Sequence, residues 1–282
     1  MSLTINESHF EKIIEEIIEK KDEVIVLYSG IWSFINKIDF LSKKKITKIP
    51  EIILSIIEKK IGNNRTLFLP SFTGNLFHKK KFINITSDID KDNGLLPLTA
   101  IKRNYYYRTR QPIHSYLVFG NIKKVENLKL GSSWGKDSLL EFFSKRNARI
   151  CTLGLPWNKG CAYLHRFEEN FNVPWRYNKT FIKEIRDNKK ILGIFSEIKY
   201  CSSKLTQLKY DFKPFIKYIK KSKSYKKTKQ KNIIAESVKA SCLDKIGKNL
   251  FSNNPWIIVK NKKEIKNWID FKKKFEIESI TK

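Results

Sequence analysis

The sequence predicts an α/β fold, with helices packed on a central sheet. Three observations carry this. Short apolar segments bounded by turn residues alternate with segments of helical periodicity. The 282 residues, 41% of them hydrophobic, are enough to bury a sizeable core. No internal repeat and no Pro/Gly-rich linker interrupts the alternation. At the start, Ser8 and Glu11 form a Ser-x-x-Glu capping box, and Ile13, Ile14, Ile17 and Ile18 fall on one helical face. Residues 24–27 read as a buried strand running into Tyr28-Ser29-Gly30. Pro50 suits the first turn of a second helix, with Ile52, Ile53, Ile56 and Ile57 inward and Gly62-Asn63-Asn64 closing it. Residues 66–70 are the next strand. Residues 95–102 and 138–145 have helical patterns, and residues 116–119 and 149–153 are extended. Residues 256–259 look strand-like and residues 263–274 helix-like. One domain spanning residues 1–282 is expected. Its one shift in composition, residues 213–231, reads as an exposed basic insertion.

Lys and Arg number 57 against 28 acidic residues, a formal net charge of +29. Such a field attracts anions: phosphate-bearing small molecules, nucleic acid or an anionic surface. Lys, Ile and Asn are all abundant, so biased codon usage with solvated lysines is an equal reading of the excess. Cys151, Cys161, Cys201 and Cys242 show neither CxxC pairing nor metal-ligand spacing. A reduced, cytoplasmic setting without metal is therefore expected. The amino-terminal residues lack a signal-peptide pattern, because charge interrupts their apolar positions every turn. No apolar run reaches the ~20 residues of a membrane span.

Three stretches carry candidate chemistry: residues 67–74 (LFLPSFTG), residues 110–115 (RQPIHS) leading into a strand, and residues 163–169 (YLHRFEE). Pro112 restrains the backbone ahead of His114. Taken alone, His114 reads more readily as a loop histidine capping a strand than as a base. His165 lies three and four residues before Glu168 and Glu169, so either can pair with it on one helix face. As a surface ion pair this would contribute little. Cys161, four residues before His165, together with Glu168 mimics a nucleophile–base–acid set for covalent acyl transfer. A small buried cysteine is the commoner reading.

Taken in order, six motifs make the sequence resemble the aminoglycoside 3-N-acetyltransferase (antibiotic N-acetyltransferase) family over residues 24–177. They are Tyr28-Ser29-Gly30 through Ser33-Phe34, residues 67–74, Asn93-Gly94-Leu95-Leu96-Pro97, Pro112-x-His114-Ser115, residues 134–140 (WGKDSLL) and Leu164-His165-Arg166-Phe167-Glu168. Three positions depart from the family pattern: Tyr28 and Gln111 replace histidines, and Leu139 replaces a proline. The resemblance implies a central mixed sheet flanked by helices, distinct from the GNAT fold. It implies an acyl-CoA-dependent N-acyltransferase working by direct transfer in a ternary complex. The donor would be acetyl-CoA or a hydroxyacyl-CoA, without a metal.

The resemblance assigns His114 as general base and Glu168 as the carboxylate that orients a histidine or binds the ammonium. Ser115, or the backbone N–H groups of residues 71–74, would meet the oxyanion. Ser29, Gly30, Ser33, Phe34, Thr73 and Gly74 would lie against the cofactor. His165 and Arg110 would meet the acceptor. The net charge makes a polycationic aminoglycoside a poor match for the surface. The preferred acceptor is therefore a nucleotide-linked amino sugar, such as a dTDP-3-amino-3,6-dideoxyhexose of surface-polysaccharide (O-antigen) synthesis, with an aminoglycoside as the alternative. A homo-oligomer is compatible with the sequence. Two other classes compete with this reading. Tyr105-Tyr106-Tyr107-Arg108-x-Arg110 and the basic run suit stacking and phosphate contacts, but no nucleic-acid fold signature accompanies them, and no stable nucleic-acid partner is expected. A catalytically dead binding module is opposed by His114 and Glu168.

Overall fold

The computed structural model describes residues 7–35, 48–157, 161–202, 208–230, 233–267 and 269. The amino-terminal helix α1 (Glu7–Ile17) buries Phe10, Ile13, Ile14 and Ile17. It begins before Ser8, which lies within its first turn and not at its cap. Strand β1 (Val24–Ser29), α2 (Ile49–Ile61), β2 (Thr66–Pro70), the single turn α3 (Gly74–Phe77), β3 (Phe82–Asn84) and α4 (Leu95–Ala100) follow. Then come β4 (Tyr107–Arg108), β5 (Tyr116–Gly120), α5 (Leu139–Lys145), β6 (Arg149–Leu153) and α6 (Arg166–Asn170). The Ser138 hydroxyl caps α5 by accepting from the Glu141 N–H at 3.1 Å.

A seven-stranded mixed sheet runs β4-β5-β2-β1-β6-β10-β9, where β9 is Lys226–Gln230 and β10 is Ile233–Lys239. Only β2-β1-β6 are parallel; the flanking pairs are antiparallel. Alternate β1 side chains feed two cores on opposite faces. Val24, Val26 and Tyr28 join one with Phe143 and Leu243, and Ile25 and Leu27 join the other with Ile13 and Ile53. This explains the unbroken apolar run of β1, which has no solvent face.

The carboxyl-terminal third departs from the sequence reading. A long hairpin, β7 (Arg176–Asp187) with β8 (Lys190–Ser202), pairs with β3 as a second, three-stranded sheet. The residues expected as an exposed basic insertion form helix α7 (Lys213–Lys220), which buries Phe215 and Ile219, and the edge strand β9. Lysines on an amphipathic helix and on a sheet edge leave the apolar positions free to pack. Helix α8 (Ala240–Asn253) covers the sheet behind them. Residues 256–259, expected as a strand, form turns with one bridge between Tyr210 and Val259. Helical structure covers residues 262–267, and residues 270–274 of that expected helix lie outside the described residues.

Candidate active site

The parallel strands β1, β2 and β6 end at one edge of the sheet, and antiparallel β5 begins there: Pro70 pairs with Tyr116 and Ser29 with Leu153. The connecting loops converge on a cavity of about 270 Å³ lined by Phe72, His114, Trp134, Trp157, Cys161, Ala162, Leu164, His165 and Phe212. This is where open α/β sheets put ligands.

His114 sits just before β5 in a nearly buried position. Its Nδ1 lies 2.7 Å from Glu197 Oε1, and its Phe72 and Trp134 neighbours contact the ring edge to face. Glu197, on β8, is fully buried. Its Oε2 accepts the Ile113 and His114 N–H groups at 2.7 and 3.2 Å, and Oε1 accepts the Ser133 hydroxyl at 2.7 Å. The bridge between Ser132 and Ile198 brings the hairpin to this point. Burial pushes the Glu197 carboxyl up, but His114, Ser133 and the Ile113 N–H overcome this and hold it below its usual range. An ionised Glu197 makes Nδ1 the protonated nitrogen and leaves Nε2 as the lone pair available to the cavity. Burial keeps the imidazole below its ordinary value, against the pull of Glu197, so it is neutral near pH 7.

His165 forms a second pair on the other wall. Its Nδ1 lies 2.6 Å from Glu168 Oε2. Glu168 is also buried, and it accepts from Trp175 Nε1 at 3.0 Å and from the Tyr210 hydroxyl at 2.7 Å. The Arg176 guanidinium pairs with it at 2.9 Å. Burial pushes the Glu168 carboxyl up, but His165 and Arg176 prevail and bring it down to about 2.

A family model described as aminoglycoside 3-N-acetyltransferase matches residues 42–241. This chain belongs to that family. Solved structures with the same fold include AAC-IIIb in a binary state with CoASH (12% identity, covering 89% of this chain and 97% of that one, TM-score 0.69). The apoenzyme of the aminoglycoside acetyltransferase AAC(3)-IVa is 15% identical, with coverage of 91% and 92% and a TM-score of 0.68. YokD protein from Bacillus subtilis is 13% identical, with coverage of 90% and 96% and a TM-score of 0.69. No curated protein sequence matches the chain. As a member of the aminoglycoside 3-N-acetyltransferase family, the chain is an N-acyltransferase with the family's mixed α/β fold.

Within this family framework the structure distributes the sequence-derived residues unevenly. His114 and His165 share the cavity, and Glu168 stands behind His165 and not His114. Ser115 points away from the cavity: its hydroxyl donates to the Ser71 carbonyl at 2.8 Å and takes the Arg108 Nε–H at 3.0 Å. The backbone N–H groups of Ser71, Phe72 and Thr73, expected to meet an oxyanion, already donate to Ser115 O, Asn93 Oδ1 and Ile113 O. Thr73 hydrogen-bonds the Pro112 carbonyl through its side chain, and Gly74 opens α3; both shape the loop holding His114.

At the β1 end, the Ser29 hydroxyl is buried with no partner among the described residues. A Cβ on Gly30 would lie 2.6 Å from Leu155 Cδ2, so glycine permits this close packing. Phe34 is core, while Ser33 lines a second cavity of about 390 Å³ with Gly154, Leu155, Pro156, Lys220, Lys227, Ile234 and Glu236. Arg110 lines a separate cavity with Tyr107 and Phe195 and does not reach His114's. Cys161 lines the cavity that holds His114, but burial pushes its thiol up to about 12. Such a thiol is a poor nucleophile. Among the described residues, no cluster of three or more His, Cys, Asp or Glu could hold a metal, and no helix is long and apolar enough to cross a membrane.

Glu197, the carboxylate that contacts His114, is the residue of this site that sequence reading missed. Its segment, ILGIFSEIKY (residues 191–200), shows no apolar–polar alternation: Ile191, Ile194 and Ile198 are exposed while Glu197 is buried. No local pattern therefore marks the acid, and 83 residues separate it from His114.

Proposed function

We propose that this chain transfers the acetyl group of acetyl-CoA to the amino group of an amino sugar, with His114 as general base and Glu197 as its positioning carboxylate. The observation that carries this reading is a neutral imidazole, aligned by a buried ionised carboxylate, whose Nε2 is the nitrogen left for a cavity at the sheet edge. The amine nitrogen attacks the thioester carbonyl carbon, and its N–H proton passes to His114 Nε2 as the C–N bond forms. The tetrahedral adduct collapses, the C–S bond breaks, and the proton leaves His114 for the departing thiolate. Glu197 stabilises the imidazolium in between, because no Lys or Arg among the described residues is ion-paired with it.

The CoASH bound to AAC-IIIb supports acetyl-CoA as donor. The turn at residues 154–157 walls both cavities, and the second one offers Lys220 and Lys227 to phosphates. An acceptor of the aminoglycoside class is supported by the family and by the aminoglycoside acetyltransferases that share the fold. A nucleotide-linked amino sugar is the second reading, favoured by the net charge of +29 and by those two lysines. The test is thiol release from acetyl-CoA and a hydroxyacyl-CoA with a panel of free, nucleotide-linked and aminoglycoside amines. Release that depends on both an amine and His114 is expected; its absence across the panel refutes the transfer reading.

A further inference from the structure

We propose that Ser133 is a positioning residue for the general base: its hydroxyl occupies the same Glu197 oxygen that holds His114, and so limits how strongly the carboxylate draws a proton onto the imidazole. This rests on the amino-sugar transfer reading above and deepens it. Ser133 Oγ donates to Glu197 Oε1 at 2.7 Å, and His114 Nδ1 lies 2.7 Å from the same oxygen. The other oxygen, Oε2, accepts the Ile113 and His114 N–H groups. A carboxylate offers about four acceptor positions, and these donors fill them. Glu197 is fully buried and Ser133 nearly so.

The backbone around Ser133 fixes the hydroxyl in that place. The Ser133 N–H donates to the Ile198 carbonyl at 2.9 Å and the Ile198 N–H to the Gly131 carbonyl at 2.8 Å, which ties the serine to the residue after Glu197. Gln111 Nε2 donates to the Ser132 carbonyl at 2.8 Å and links the same turn to the segment that carries His114. The Gly131 and Ser132 N–H groups both donate to the Asp137 carbonyl, at 3.0 and 3.3 Å, and the Gly135 N–H donates to Ser132 Oγ at 3.1 Å. Asp137 closes the turn with a φ of 58°, in the left-handed region. A turn bonded at this many points keeps Ser133 against Glu197, as a group that supports a catalytic pair must be kept.

The protonation of His114 is a balance among the groups that face it. Burial lowers its proton affinity most, Glu197 raises it, and Lys199 and His165 lower it further. Its ring contacts, Phe72 and Trp134, are uncharged. The Ser133 hydrogen bond stabilises the Glu197 anion before any proton arrives, so less of its charge is left for an imidazolium to compensate. Removing the hydroxyl empties one acceptor position of a buried anion, and proton uptake by the pair becomes the remaining compensation. Ser133→Ala therefore moves the His114 titration up. Glu197→Gln removes the anion and moves it down. Opposite signs at two touching residues separate this role from a general loosening of the turn.

The test follows the histidine ring signals of the full chain by NMR against pH, without substrates, with the His114 signal identified by its loss in His114→Ala. Ser133→Ala is expected to raise the His114 midpoint by about 0.5, a fraction of the roughly one to two pH units that a hydrogen bond to a charged group is worth. The acid limb of kcat/KM should rise with it. Ser133→Thr, which keeps the hydroxyl, should return both toward the unmodified values. Ser138→Ala is the control: it removes the bond to the Gly135 carbonyl and the cap of α5 without touching Glu197. It should lower stability and leave the midpoint in place. A midpoint that stays or falls in Ser133→Ala, or one that rises as much in Ser138→Ala, overturns the proposal. If no amine is acetylated yet the Ser133→Ala midpoint rises, the transfer reading fails and the coupling of Ser133 to His114 stands. If acetylation depends on His114 and the midpoint does not move, the transfer reading stands and the role given to Ser133 fails.

Discussion

Two histidine–carboxylate pairs face one cavity with nearly equal separations, 2.7 Å for His114–Glu197 and 2.6 Å for His165–Glu168. What stands around each carboxylate separates their roles. Glu168 already has an Arg176 guanidinium at 2.9 Å, so its charge is largely spent before His165 changes protonation. Glu197 has only neutral donors besides His114: a serine hydroxyl and two backbone N–H groups. A proton taken by His114 therefore meets an uncompensated anion, the condition a general base needs. On the proposed function, the similar spacing hides a base on one wall and a scaffold on the other.

The contrast can be broken in several places. His114→Ala should lower kcat by about two to four orders of magnitude, the usual range for a lost general base, with acceptor KM changing far less. Steady-state turnover close to the unmodified enzyme would remove His114 from the mechanism. Glu197→Gln should cost about ten- to a hundredfold in kcat and should also move the pH profile. The acid limb of kcat/KM reports neutral His114 and is expected below pH 6.5, since burial lowers that imidazole from its ordinary 6.5. Glu197 pulls the other way, so its loss should shift the limb further down; an unmoved limb would contradict the pairing.

The scaffold pair should answer in stability. Glu168→Gln leaves Arg176 buried beside a neutral amide and should destabilise the fold by about 3–5 kcal/mol, read by denaturant unfolding. Activity of the molecules still folded should stay within about tenfold. The sign with pH follows from the carboxyl falling from 4.5 to about 2 on folding. Its contribution is fully present above pH 4.5 and is lost as pH falls from there through about 2. Stability that holds flat across that window would show that Glu168 carries no net stabilisation. The smallest effect is expected for Cys161→Ala: activity within about twofold and no acyl adduct by mass spectrometry of enzyme with acetyl-CoA alone, in keeping with a thiol pushed up to about 12. A stable adduct on Cys161 would replace direct transfer with a covalent route.

Legibility in the sequence followed the range of the interaction. The helical isoleucine faces, the strands at residues 66–70 and 149–153 and the His165–Glu168 spacing are all set within a few residues. Each could be read from periodicity or offset. The basic run at residues 213–231 misled because lysines dominate its composition, while Phe215, Ile219 and Thr228 decide its place in the fold. Ser115 misled for a related reason: adjacent residues of an extended chain point to opposite sides, so the serine beside the base turns toward Ser71 and Arg108.

The chain by itself determined that there would be an α/β sheet, that residues 112–115 would precede a strand at its edge, and that His165 would have Glu168 and Glu169 within pairing reach. Local hydrogen bonding and side-chain periodicity are sufficient for those. Only tertiary structure decided which carboxylate serves His114, because Glu197 reaches it through the pairing of a distant hairpin with residues 131–133. It also decided that Glu168 would be paired with Arg176. The charge state of a buried acid and the satisfaction of a buried donor depend on everything packed around them, and no stretch of sequence contains that neighbourhood.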